Sequence, residues 1–163
     1  MKKTAFSLAI LFFLFAFSAC GSKSVQETVS AELGIDASGG KEISATDTHG
    51  DFHGDGVSSV ALSFSDFSVL DEIKGNAEWK AFPLDDTVQA LVYGVNDETS
   101  SIGPFINDGT GNPLVREIQN GYYILIDRQK DQETDILERS SFNVTVGLYD
   151  TDTNTLYYCT LDT

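Results

Sequence analysis

The side chains best suited to chemistry lie in one short run, DTHGDFHGDG, residues 47–56. It holds both histidines of the chain, His49 and His53, interleaved with Asp47, Asp51 and Asp55. Imidazole nitrogens beside carboxylate oxygens suit zinc or another transition metal. The same groups serve general acid–base catalysis. A helical zinc motif needs two histidines one turn apart and a glutamate base between them. His49 and His53 have that separation, but Gly50 and Gly54 oppose a helix and no glutamate intervenes. In an extended backbone the odd positions share a face, with alternate side chains about 6.5–7 Å apart. Two or three of His49, Asp51, His53 and Asp55 could then clasp a divalent ion. The whole stripe could not. The competing reading is a glycine-rich lead-in to a strand, with turn-forming glycines and solvated polar groups. The sequence contains no G-x-S-x-G elbow, phosphate-binding loop or dinucleotide fingerprint to complete a catalytic set.

The beginning of the chain bears on where such chemistry would take place. Lys2 and Lys3 precede an apolar run from Ala5 to Ala19, interrupted only by Ser7 and Ser18. Crossing a bilayer takes roughly 20 apolar residues, so residues 1–19 read as a cleaved signal peptide. The run ends in Phe17-Ser18-Ala19-Cys20-Gly21, which resembles the lipobox of bacterial lipoproteins. That resemblance implies cleavage before Cys20, acylation of Cys20, and attachment to the outer side of the cell membrane. Phe17 stands where leucine is commoner in such signals. The alternative is ordinary signal-peptidase cleavage and release. A lipoprotein cysteine carries a diacylglycerol, and two acyl chains give stable attachment where one is marginal.

Charge narrows the partners. The chain has 10 basic and 25 acidic residues, a net charge of −15. Losing Lys2 and Lys3 with the leader leaves 8 basic residues against 25 acidic ones, a net of −17. Such a surface repels phosphate backbones and anionic headgroups, which excludes nucleic acid as a partner. Membrane attachment must then come from the lipid. With Cys20 acylated, Cys159 is a lone thiol in an oxidising compartment. Its strand-like surroundings, LYYCTLD, supply no neighbouring base, so it reads as a structural residue.

The elements that must position these residues follow from pattern. Residues 20–45 are rich in serine, alanine, glycine and charge and contain no aromatic, which suggests a flexible tether. From residue 46 onward there are 13 aromatics in 118 residues, enough for one small domain, 46–163. Residues 57–66 alternate as a strand. Ser68 to Asp71 forms a capping-box pattern that should open a short helix closing at Gly75-Asn76. Asp86 and Gln89 could open a second one ending near Gly94, with a strand over 88–93 as the rival. Residues 121–127 are apolar on both faces, as in a central strand, and 128–140 read as a solvated connection. Residues 142–149 and 155–161 form a hairpin around the five-residue loop 150–154. Counting back from that loop pairs Leu148 with Leu156 and Val146 with Tyr158, and sets Cys159 opposite Thr145. The loop's Asp150-x-Asp152-x-Asn154 resembles the start of a calcium loop. It lacks the required glycine at the sixth position and glutamate at the twelfth. The expected fold is α+β: an antiparallel sheet of about four strands with two short helices.

The runs WKAFPLDDTVQALVYG, EIQNGYYILIDR and LYDTDTNTLYYCTLD give the domain a resemblance to an uncharacterised family of small Gram-positive surface lipoproteins. That resemblance implies a surface location and carries no activity with it. The expectation is therefore a lipid-anchored extracytoplasmic domain that binds or scaffolds a small ligand or protein partner without a cofactor. The alternative is a small metal-binding protein or metal-dependent enzyme using the 47–55 stripe.

Overall fold

A computed structural model describes residues 23–49, 54–96 and 100–163. Order begins earlier than composition suggests. Helix α1, Val25–Leu33, opens with a complete capping box. The Glu27 N–H donates to Ser24 Oγ at 3.1 Å, and the Ser24 N–H donates to the Glu27 carboxylate at 2.7 Å. Gly34, at φ 66°, closes the helix in the left-handed conformation that glycine adopts most readily. Val25, Val29 and Leu33 recur every four residues, and Val29 and Leu33 are fully buried. Strand β1, Lys41–Asp47, follows. The segment expected to be a tether, 20–45, is thus folded from Ser24 onward. Its apolar stripe is only three residues long and is diluted by serine and glutamate, so composition hides it.

The strands after β1 are β2 (Gly56–Ser63), β3 (Lys80–Ala81), β4 (Val95–Asn96), β5 (Ser101–Ile102), β6 (Gly121–Asp127), β7 (Asn143–Asp150) and β8 (Thr155–Asp162). Helix α2 spans Ser68–Gly75 and α3 spans Asp86–Val92. Six strands form one antiparallel sheet in the order β1-β2-β8-β7-β6-β3, and β4 pairs with β5 in a separate hairpin. The class is α+β, as expected, with three α-helices and a six-stranded main sheet in place of two helices and about four strands. β3 and the β4–β5 pair are two-residue strands, too short to leave a periodic signature. The helix at 86–92 is observed, not its strand rival. Asp85 caps it by accepting from the Val88 N–H at 3.0 Å. The capping box expected at Ser68 is absent. Asp66 takes up the Ser68 N–H at 3.0 Å and the Ser68 hydroxyl at 2.6 Å.

The C-terminal hairpin is the centre of the molecule, and both its faces are buried. Leu62, Leu156, Tyr158, Tyr149 and Ile124 pack under α1, α2 and Trp79. On the opposite face Val144, Val146, Leu148, Tyr157, Cys159 and Leu161 pack under α3, Ile106, Val115 and Ile118. Each large apolar side chain buried in this way contributes about 1.5–3 kcal/mol. Gly147 lies in the middle of β7, where a Cβ would meet Ile124, Leu33 and Trp79 at 2.9–3.0 Å. Its missing side chain lets α1 and Trp79 approach the sheet.

The hairpin register differs by one residue from the expected pairing. Leu148 faces Tyr157, Val146 faces Cys159, and Thr145 faces Thr160. Asp150 belongs to the ladder, paired with Thr155. The turn is therefore four residues, 151–154, with Asn154 left-handed at φ 53°. The Asp150 carboxylate closes it, accepting from the Asp152 N–H at 2.9 Å and the Thr153 hydroxyl at 2.6 Å. A one-residue slip exchanges faces. Here neither face is solvent: Thr145 is fully buried and donates to Glu32 of α1 at 3.1 Å.

Candidate functional site

Polar groups gather at both ends of the sheet. The first gathering contains Asp47 and His49 of the Asp/His stripe. Asp47 ends β1, and His49 follows one residue beyond Thr48. Across from them β2 begins at Gly56, where a Cβ would stand 2.5 Å from the His49 Cα. Glycine is what lets the two backbones close. The His49 N–H donates to Asp47 Oδ1 at 3.0 Å, and His49 Nδ1 lies 2.6 Å from the same oxygen. His49 Nε2 lies 3.3 Å from Asp162 Oδ2 near the end of β8. Arg128 donates to Asp162 Oδ1 at 2.9 Å and to the Val144 carbonyl at 3.1 Å. The hydrogen bond to Asp47 raises the His49 pKa, partial burial opposes this, and Asp162 adds to the rise. Asp47 is lowered in turn, chiefly by the backbone and ring donors of His49.

This arrangement ties the imidazole down. A general base needs a nitrogen directed at substrate, and both ring nitrogens of His49 face carboxylates. No hydroxyl or thiol among the described residues is hydrogen-bonded to Nε2 in the manner of an activated nucleophile. Among the described residues, no three His, Cys, Asp or Glu side chains are grouped to hold a metal ion. Asp55 is described and exposed. Asp51, His53 and Cys20 lie outside the described residues. What the structure does bring together is Asp47, His49 and Asp162, the last of which no sequence pattern singles out. Cys159 is fully buried, its Sγ 3.3 Å from Ser59 Oγ, and burial pushes the thiol up to about 12. It is inert at neutral pH.

The second gathering is a cleft of about 1060 Å³ at the opposite end of the sheet. It lies where β6 begins and β7 turns into β8. Leu70 and Lys74 of α2 line one side, and Gln89 of α3 and Tyr93 at its C-cap another. Phe82 and Tyr122 add half-buried rings beside β3 and β6. The remaining wall is the irregular segment 113–121. Tyr93 pins it, its hydroxyl donating to the Arg116 carbonyl at 2.8 Å and accepting from the Ile118 N–H at 3.2 Å. Thr151 of the hairpin turn fixes the far end of that wall, donating from its N–H to the Asn120 carbonyl at 3.1 Å and from its hydroxyl at 3.0 Å. Among the described residues, Lys74 and Glu117 are the charged members of the lining, so the wall is balanced within a strongly acidic chain. Volumes of about 300–1,000 Å³ are usual for small-ligand sites, and this cleft lies just above that range.

Sequence reading passed over the cleft because its wall is turn-rich and aperiodic. A usable signal was present: two short runs concentrate aromatic and amide side chains that the helix at 86–92 and the strand at 121–127 leave only partly buried or exposed. Phe82, Gln89 and Tyr93 fall in WKAFPLDDTVQALVYG, and Gln119, Asn120 and Tyr122 fall in EIQNGYYILIDR.

Fold and site together define a small α+β domain with a preformed open cleft. No family model, no curated protein and no solved structure matches the chain.

Proposed function

We propose that the chain is a lipid-anchored, extracytoplasmic binding module whose ligand occupies the cleft between α2, α3 and segment 113–121. The observation that carries this reading is the contrast in hydrogen bonding between the two polar gatherings. His49 is saturated by its neighbours. The cleft presents exposed ring faces and amide groups with capacity to spare. Binding without turnover fits a lining that offers neither a nucleophile–base pair nor paired carboxylates. Membrane attachment rests on the lipobox resemblance at Cys20. Cys20 stands four residues before Ser24, where the fold begins, and four extended residues reach at most about 14 Å. An acylated Cys20 would therefore hold the domain close against the bilayer, not on a long leash.

Two measurements test this reading. Expressed in a bacterial host, the chain should partition with membranes, and Cys20→Ala should release it. Membrane association that survives the substitution would remove the anchor from the proposal. Ligand-observed NMR with a set of small neutral organic fragments should detect binding that Tyr122→Ala abolishes. Fragments that bind only elsewhere, or none that bind, would remove the cleft.

A further inference from the structure

We infer that the cleft takes a neutral oligosaccharide, an inference that rests on reading the cleft as the binding site. Three properties of its wall point there. The first is charge. The chain carries a net −15, yet the lining holds one cation, Lys74, and one anion, Glu117. An ionic ligand would find no excess of opposite charge there, whereas an uncharged one loses nothing.

The second is the pairing of flat apolar faces with bifunctional polar groups. Phe82, Tyr93 and Tyr122 line the cleft as half-buried rings. A pyranose presents an apolar C–H face that stacks on such rings and a rim of hydroxyls, each both donor and acceptor. The amides meet that rim in a particular way. Gln89 spends one of its two amide hydrogens on the Gly94 carbonyl at 3.3 Å. Gln119 spends one on Glu117 at 2.9 Å, and Asn120 one on Asp152 at 3.0 Å. Each nitrogen is anchored by the protein, and each side-chain carbonyl oxygen is left without a partner among the described residues. The Tyr122 hydroxyl has none either. The cleft thus offers acceptors held in place by their own anchors, the complement of a ligand rich in hydroxyl donors.

The third separates a sugar from a peptide. An extended peptide that binds by strand addition needs an open strand edge. The β6 edge at the cleft is already taken: Lys80 pairs with Tyr123, Ala81 pairs with Tyr122, and the Phe82 N–H donates to the Gly121 carbonyl at 3.0 Å. The free side of β3 is two residues long. Recognition must run through side chains, and the volume admits several rings rather than one.

The test uses the full chain in a polyoxyethylene detergent, which has no sugar headgroup. Calorimetric and NMR titrations are run with neutral hexasaccharides of cellulose, xylan, mannan and starch. Acidic galacturonan oligomers, neutral hexapeptides and the fragment set serve as comparison arms. The expected result is binding of at least one neutral oligosaccharide. Tyr122→Ala should weaken it at least tenfold, and Gln119→Ala, at an exposed position, should weaken it several-fold with folding unchanged. Binding of peptides or galacturonan in the cleft, with no neutral sugar bound, overturns the sugar inference and keeps the cleft. A cleft that no sugar, peptide or fragment occupies overturns both. Sugar binding indifferent to both substitutions places the sugar elsewhere and overturns the inference.

Discussion

At one end of the sheet, His49 is held by Asp47 and Asp162, and Asp162 by Arg128. At the other end, three amides around the cleft are anchored through nitrogen, and their oxygens have no protein partner among the described residues. The first region has the imidazole and flanking carboxylates usually associated with catalysis, and the second has one lysine and one glutamate among amides and aromatic rings. The difference lies in what hydrogen bonding leaves over. A polar group fully satisfied within the protein holds the protein together. One that is positioned but unsatisfied is available to a ligand. Residue type identifies candidates, and the balance of donors and acceptors decides between them.

That contrast requires the two regions to be separate, which substitutions can test. The largest effect should come from a site between them. Gly147→Val places two methyl groups where Ile124, Leu33 and Trp79 already close to 2.9–3.0 Å of a Cβ. Overpacking of this kind costs about 2–3 kcal/mol. Thermal unfolding should show one cooperative transition lowered by roughly 10 °C, because α1 and the sheet must part to admit the side chain. Loss of structure at only one end would show that the two regions unfold independently.

Tyr93→Phe should come next and touch only the cleft. It removes the hydroxyl that serves the Arg116 carbonyl and the Ile118 N–H. Two backbone groups lose a partner, at a cost of about 1–2 kcal/mol if water does not replace it. Hydrogen exchange should speed up at Ile118 and its neighbours and stay unchanged in β1 and β2. Faster exchange at both ends would join the two regions into one.

The sequence revealed these regions unequally, for physical reasons. The central hairpin was legible because β-branched and aromatic residues flank a polar turn. Its register was misplaced by one because Asp150 looks like loop and is ladder. Helices α2 and α3 were legible from the spacing of their apolar residues, although the caps expected at Ser68 and Asp86 are not the ones made. α1 was not, since Val25, Val29 and Leu33 make a stripe too thin to stand out among small polar residues. Asp47 and His49 were visible as a pair, but Asp162 joins them only because β8 lies next to β2 in the sheet, a contact across 113 residues. The cleft was invisible as a cleft. Its residues come from five separate segments, and only the fold collects them.

A smaller effect isolates the polar end. His49→Gln removes a group whose folded pKa is raised by Asp47 and Asp162. The stabilisation from a raised imidazole is complete below its ordinary value of about 6.5 and is lost as pH rises through the folded value. Asp47 acts in the opposite sense. Its lowered pKa gives a contribution present above the ordinary carboxylate value of about 3.9, lost as pH falls through the folded value. The wild-type advantage in Tm over His49→Gln should therefore peak between these limits, near about pH 5–6, and fade in alkaline buffer. An advantage that is flat from acid to alkali would mean that His49 contributes packing and not charge.

The smallest effect on stability is the sharpest test of the comparison. Gln119 is exposed, and its one side-chain partner is Glu117, likewise exposed. Gln119→Ala should leave Tm where it was, within the roughly 0.5 kcal/mol usual for surface positions. It still deletes one anchored acceptor from the cleft. Ligand affinity should fall while unfolding, the His49 pH profile and exchange at Ile118 all stay at wild-type values. His49→Gln should show the converse, changing pH-dependent stability without changing affinity. If instead His49→Gln weakens the ligand and Gln119→Ala does not, the satisfied end is the functional one, and unpartnered acceptors are a poor guide to where this protein binds.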